Sequence, residues 1–63
     1  MRVERDWRGY GASNWVFFDI NAAATEDDLI DALRDEGLDN VPFGCRIEWD
    51  RGRRQAHVQV YTD

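Results

Sequence analysis

The sequence predicts a small α+β domain in which a four-stranded antiparallel sheet carries one helix packed on one face, with the chain order β-β-α-β-β. Two observations predict this class. Two stretches of alternating apolar and polar residues precede an amphipathic segment, and two more follow it. Residues typical of caps and turns separate these stretches. Residues 1–63 are therefore expected to form a single small α+β domain.

The first two strands are predicted on either side of a turn. Val3, Arg5 and Trp7 alternate with more polar residues, which indicates a strand whose less polar side faces inward. Residues 8–14 contain two glycines, a serine and an asparagine. Such a composition is typical of a hairpin turn.

The second predicted strand, residues 15–20, is apolar on both sides. We interpret its alternation to mean that one set of side chains faces the helix and the other set lies on the open face of the sheet. The inward set is Val16, Phe18 and Ile20, and the outward set is Trp15, Phe17 and Asp19. A shift of one residue would exchange the two sets.

A helix is predicted between Thr25 and Gly37. The Thr25 hydroxyl can accept a hydrogen bond from the amide of Asp28, as an N-cap does, and the acidic residues that follow suit the positive end of the helix dipole. Gly37 followed by Leu38 predicts a Schellman-type end. The apolar stripe expected to pack on the sheet is Leu29, Ile30 and Leu33, flanked by Ala32.

The last two strands have the most regular pattern. After a loop at residues 39–42, the side chains predicted to face inward are Phe43, Cys45, Ile47 and Trp49, and then Ala56, Val58 and Val60 in the final strand. The predicted core is the set Val16, Phe18, Ile20, Leu29, Leu33, Cys45, Ile47, Trp49, Val58 and Val60.

The negative charge of the chain is concentrated in the predicted helix. The chain has 13 acidic and 8 basic residues and a formal net charge of −5. Like charges four residues apart destabilise a helix by about 0.2–0.5 kcal/mol per pair, so we interpret this side as a docking surface for a protein partner with a basic surface. The alternative is a solvated face, since the acidic, lysine-free composition resembles that of proteins from salt-loving organisms. We call the four residues Asp27, Asp28, Asp31 and Asp35 the acidic stripe.

The open face of the predicted sheet is the second candidate for partner binding. Trp15, Phe17 and Tyr61 would lie there, and aromatic residues are favoured anchors of protein interfaces. Base stacking with single-stranded nucleic acid is one alternative. Another is intramolecular cover by Trp7 or by the loop around Tyr10.

The basic turn formed by Arg51, Arg53 and Arg54 is the candidate nucleic-acid site. The net negative charge opposes binding to phosphate. The turn could instead pair with the acidic helix of a second copy, since a molecule with one negative and one positive end is self-complementary. A solubilising role at a hairpin tip is the third interpretation.

No catalytic site, cofactor site or metal site is predicted. His57 has no nucleophile or acid at a motif spacing, Cys45 is expected to be a small buried hydrophobe, and the acids of residues 26–31 lack the calcium-loop pattern. One cysteine leaves no internal disulfide. The chain has no apolar run long enough to span a membrane and no signal-peptide pattern, so a cytoplasmic location is expected.

These observations predict a non-catalytic protein-interaction module. A small acidic inhibitor or regulator, of the kind that phages and mobile elements encode, fits the size and charge, and a homodimer is expected. Two alternatives stay open. One is a nucleic-acid-associated factor that uses the arginine turn and the aromatic sheet, and the other is a halophilic structural or accessory protein whose acidic face serves only solvation.

Overall fold

The computed structural model describes residues 1–9, 11–38 and 44–61. Its elements along the chain are β1 (Arg2–Gly9), β2 (Ala12–Phe18), α1 (Glu26–Asp35), β3 (Cys45–Asp50) and β4 (Gln55–Tyr61). The strands form one antiparallel sheet in the order β1-β2-β4-β3, so the predicted α+β class is confirmed.

Two features of the sheet go beyond the sequence prediction: its strand order and the connection between β3 and β4. The connection is a short 3-10 helix, Arg51–Arg53, where a turn was expected. The predicted loop at residues 39–42 lies outside the described residues, as do Phe43 and Tyr10.

The first hairpin is tighter than predicted. Gly9 pairs with Ala12, so only residues 10 and 11 connect the strands. Gly11 has a φ of 78°, which glycine adopts without steric cost. Ser13 and Asn14, which were predicted in the turn, therefore belong to β2.

The predicted phase of β2 is wrong. Trp15 and Phe17 are buried, with 7% and 0% of their surface exposed. Val16 and Phe18 point to the opposite face and are half-buried. Trp15 and Phe17 therefore belong to the core, and they are not available as partner-binding residues.

The backbone at Asp19 explains this error. Asp19 has a φ of 55°, in the left-handed region, and a residue in that conformation ends the regular alternation of a strand. Ile20 therefore enters the core, at 1% exposure, although it is three residues beyond Phe17. Counting back by twos from a correctly predicted Ile20 assigns every residue of β2 to the wrong face.

A bulge in β1 corrects a second prediction. The register shifts between Arg5 and Trp7, which leaves Asp6 without a paired residue. Trp7 then lies opposite Asn14 on the face away from α1, whereas it was predicted to face inward. It is 50% exposed, and its ring covers Gly9 so closely that a Cβ there would overlap it.

The first turn of α1 is capped as predicted. The Asp28 N–H donates to Thr25 Oγ1 at 3.4 Å, and the Thr25 N–H donates to Asp28 Oδ2 at 2.8 Å. This reciprocal pair is a capping box. The carboxylate of Asp28 is therefore part of the helix start.

The predicted Schellman end of α1 is also confirmed. The Gly37 N–H donates to the Arg34 carbonyl at 2.9 Å, and the Leu38 N–H donates to the Leu33 carbonyl at 3.1 Å. Gly37 has a φ of 98°, which explains why glycine ends the helix.

The core lies between α1 and the sheet face that we call the inner face. The predicted inward residues of β4 are buried, and those of β3 within the described chain pack partly against the core. Trp15 places its Nε1 2.8 Å from Ser13 Oγ, so its N–H is satisfied inside the core. The buried cluster is Trp15, Phe17, Ile20, Ala24, Leu29, Leu33, Ala56, Val58 and Val60.

Candidate interaction surfaces

The sheet face away from α1, the outer face, is uncovered by any helix or strand of residues 1–9, 11–38 and 44–61. Its four large apolar or aromatic side chains are Trp7, Val16, Phe18 and Tyr61, which we call the outer aromatic set. Trp7 and Tyr61 are 50% and 45% exposed. Of the three residues predicted for an open aromatic face, only Tyr61 lies on it.

Polar groups lie among these side chains. Asn14, His57 and Gln59 belong to the two central strands, and together with residues from both edge strands they line a shallow depression of about 210 Å³. The Tyr61 hydroxyl donates to Gln59 Oε1 at 2.8 Å, which orients the phenol ring. Aromatic side chains with hydrogen-bonding groups beside them are typical of protein interfaces.

One end of the outer face carries a stacked arginine. The guanidinium of Arg2 lies 4.4 Å from the centroid of the Phe18 ring and 3.4 Å from Glu4 Oε2. Arginine and aromatic residues are the common anchors of interfaces. Aromatic residues of the kind that anchor protein interfaces therefore lie at both ends of the outer face, with Phe18 at one end and Tyr61 at the other.

The acidic stripe is exposed throughout, but its members differ in their contacts. Asp28 is held in the capping box, and Asp31 lies 3.7 Å from Arg34 in an ion pair that is open to solvent. Within the described part of the chain, Asp27 and Asp35 have no ion-pair partner. The stripe is therefore a set of three solvated carboxylates beside one that is used by the helix.

A fifth acid joins one side of the stripe. Asp19 lines a groove of about 530 Å³ together with Asp28, Asp31 and Asp35, and Arg54 lines the same groove. The left-handed bend after β2 places Asp19 there. No sequence pattern links it to the helix, because the two segments meet only in the folded chain.

Arg51 of the predicted nucleic-acid turn is used within the fold. Its Nη1 and Nη2 donate to the carbonyls of Ala22 and Ala24 at 3.0 and 3.1 Å. Its guanidinium also lies 4.0 Å from the centroid of the Trp49 ring. Arg51 thus holds the segment that leads to α1.

The other two arginines of the turn also have partners in the chain. Arg54 Nε donates to the Ile20 carbonyl at 3.1 Å, and the Ile20 N–H donates to the Arg54 carbonyl at 3.0 Å. Arg53 lies 3.8 Å from Asp50 Oδ2. Two of the three candidate phosphate ligands are thus part of the fold.

Cys45 is half-buried on the inner side of β3, where burial and the nearby Glu26 carboxylate raise the pKa of its thiol.

Among the residues that the structure describes, no three His, Cys, Asp or Glu side chains are arranged to hold a metal ion. No helix in that part of the chain is long and apolar enough to cross a bilayer.

Comparison of the chain with models of protein families, with curated protein sequences and with solved structures finds no match. The candidate surfaces are therefore defined by their own geometry and chemistry.

Proposed function

We propose that the protein is a small non-catalytic interaction module that binds a protein partner with a basic surface through the outer face of its sheet. One observation carries this proposal: Trp7 and Tyr61 are about half exposed on a sheet face that no described element covers. Exposed apolar patches with polar rims mark interaction sites. Large aromatic side chains supply most of the binding energy of such sites.

The charge of the chain supports a basic partner. The net charge is −5, and the acids on the edge strands of the outer face are Glu4, Asp6, Glu48 and Asp50, against Arg2 and Arg46. Charge complementarity chiefly raises the rate of association, while buried apolar contacts slow dissociation. The acidic stripe lies on the opposite side of the sheet from the outer aromatic set. It therefore contributes to the net negative charge that attracts a basic partner, while the outer aromatic set forms the contact.

The role within this class is that of an inhibitor or regulator. A module of this size changes the activity of its partner by covering a surface or holding a conformation, which requires binding and no bond-breaking chemistry. The arginine turn gives little support to the nucleic-acid alternative, because Arg51 and Arg54 are already bonded to carbonyl groups of the chain.

Two matched variants test the proposal. The outer-face variant replaces Trp7 and Tyr61 by alanine, and the stripe variant replaces Asp27, Asp31 and Asp35 by asparagine but keeps Asp28 for the capping box. Partners are identified by capture on the unmodified protein. Each is then purified, and its association and dissociation rates with the three proteins are measured, with circular dichroism to verify folding.

We expect the outer-face variant to bind at least about ten-fold more weakly through faster dissociation. The stripe variant should associate more slowly, and its rate should depend less on salt. Loss of binding by the stripe variant with normal binding by the outer-face variant would move the site to α1. Tight binding of single-stranded RNA by the unmodified protein at low salt would favour the nucleic-acid alternative.

A further inference from the structure

The two edge strands of the sheet differ in their capacity to pair with another strand. β1 is interrupted by the bulge at Asp6, and five of its eight residues are charged. Bulges and charges are the means by which natural proteins protect a sheet edge. β3 pairs with β4 in an unbroken register from Cys45 to Asp50, and within the described chain no strand pairs with its other side.

The backbone groups at the free edge of β3 follow from the ladder with β4. The Tyr61 N–H donates to the Gly44 carbonyl at 3.1 Å, and hydrogen-bonded pairs alternate with non-bonded pairs along an antiparallel ladder. The N–H and C=O groups of Cys45, Ile47 and Trp49 therefore point away from β4. They form a row of donors and acceptors that a further strand can use.

We propose that β3 pairs in antiparallel orientation with β3 of a second copy, around a two-fold axis that passes between Ile47 of one chain and Ile47 of the other. In this register Ile47 lies opposite Ile47 of the second copy, and Cys45 lies opposite its Trp49. The two sheets become one sheet of eight strands, with both helices on the same side.

The charges on β3 identify a second copy as the occupant. Arg46 and Glu48 flank Ile47 on the outer face and lie 3.3 Å apart. Antiparallel pairing around Ile47 places Arg46 opposite Glu48 of the second copy, and symmetry repeats this contact. A register centred on Arg46 or on Glu48 would instead place like charges opposite each other, which is destabilising.

A second pair of charges meets in the same register. Glu26 lies near enough to Cys45 to act on its thiol, and Arg51 lies on the ring of Trp49. Because Cys45 is opposite Trp49 of the second copy, Glu26 comes to the same end of the interface as Arg51 of that copy. Both ends of the interface thus combine an acid with a base.

This dimer goes beyond the proposed function and uses a different surface. The outer aromatic set remains open in both copies, and the two sets lie on the same side of the eight-stranded sheet. The inner-face side chains of β3, which are half-buried in one chain, gain cover across the two-fold axis. A dimer of this kind presents two partner-binding faces at a fixed separation.

Charge exchange on β3 tests the pairing by sedimentation equilibrium, with the chain mass of 7.4 kDa as the monomer reference. Arg46→Glu and Glu48→Arg should each weaken the dimer by about ten-fold or more, since every mismatch occurs twice. The double variant restores opposite charges and should return the dimer constant to within about three-fold of the unmodified value. Thermal unfolding serves as the control for folding.

A disulfide provides a test of the register. Residues opposite each other in a hydrogen-bonded pair have Cα atoms about 5.5 Å apart, a distance that a disulfide spans. Ile47→Cys in a Cys45→Ala background should therefore form a cross-linked dimer on mild oxidation. The unmodified protein should not, because its Cys45 lies opposite Trp49. A monomer at concentrations up to about 1 mM, or a dimer that is unaffected by both single charge substitutions, would overturn the proposal.

Discussion

The guanidinium of Arg51 lies 4.0 Å from the centroid of the Trp49 ring, and the same group bonds to two carbonyl oxygens before α1. Arg51→Ala should therefore lower the free energy of unfolding by about 1–3 kcal/mol, through loss of the stacking and of the two hydrogen bonds. Urea denaturation measures this change. Arg53→Ala is the matched control, because it removes only an exposed ion pair and should cost less than about 0.5 kcal/mol. Equal effects of the two substitutions would contradict the structural role of Arg51.

The hydrogen bond from Trp15 to Ser13 gives a prediction about the core. Ser13→Ala would leave the buried indole N–H without its acceptor, so we expect a loss of about 1–3 kcal/mol in the free energy of unfolding. Ser13→Thr keeps a hydroxyl and suits a strand, and it should recover most of the loss. A neutral effect of Ser13→Ala in chemical denaturation would show that Trp15 does not depend on this bond.

Asp28 and Asp27 are neighbours in the acidic stripe with different structural roles. Asp28→Ala removes half of the capping box and should destabilise the protein by about 0.5–2 kcal/mol. Asp27→Ala should have an effect near zero, since it relieves repulsion from Asp31 but removes an acid from the first turn. The comparison of their thermal midpoints checks the assignment, and a larger loss for Asp27→Ala would refute it.

Because the pKa of the Cys45 thiol is raised, the free energy of unfolding should fall at alkaline pH. Its pKa is raised above the ordinary 9.0 by burial and by Glu26, so the native state holds the proton more tightly than the unfolded chain. The contribution to stability is full below the unfolded pKa and is lost as pH rises through the native pKa. Alkylation by iodoacetamide at mildly alkaline pH should be slower than in the unfolded chain. Glu26→Gln should increase this rate, whereas an unchanged rate would exclude the carboxylate as a cause.

The salt dependence of folding separates a docking role for the acidic stripe from a solvation role. Exposed charges are partly screened at about 0.1 M salt and almost fully screened above about 1 M. Under the proposed function, the thermal midpoint should rise only slightly with KCl, because the caps and the core of α1 do not depend on salt. A protein that folds only in concentrated KCl would support the halophilic alternative.

The parts of the fold that depend on neighbouring residues could be predicted from the sequence. Thr25, Gly37 and Leu38 carry the caps of α1 within a few positions, and the alternation of β3 and β4 is uninterrupted. The phase of β2 could not be predicted in the same way, because the left-handed residue Asp19 shifts the alternation by one position.

The candidate site depended more heavily on long-range structure. Tyr61 was assigned to the open face because β4 is regular, whereas the bulge in β1 moved Trp7 there against its alternation. The guanidinium of Arg51 bonds to the carbonyls of Ala22 and Ala24, which precede it in the chain by 29 and 27 positions. No local pattern distinguishes such an arginine from one that binds a phosphate.

The bulge at Asp6 has a consequence for the size of any assembly built by strand addition. Fibrils grow because each added chain offers a fresh edge like the one that it has covered. In this protein the far edge of each chain is irregular and charged, so the first addition leaves no end that can be extended. In the proposed dimer, strand addition would therefore end at two chains, and the same bulge that displaces Trp7 would protect the protein from polymerisation.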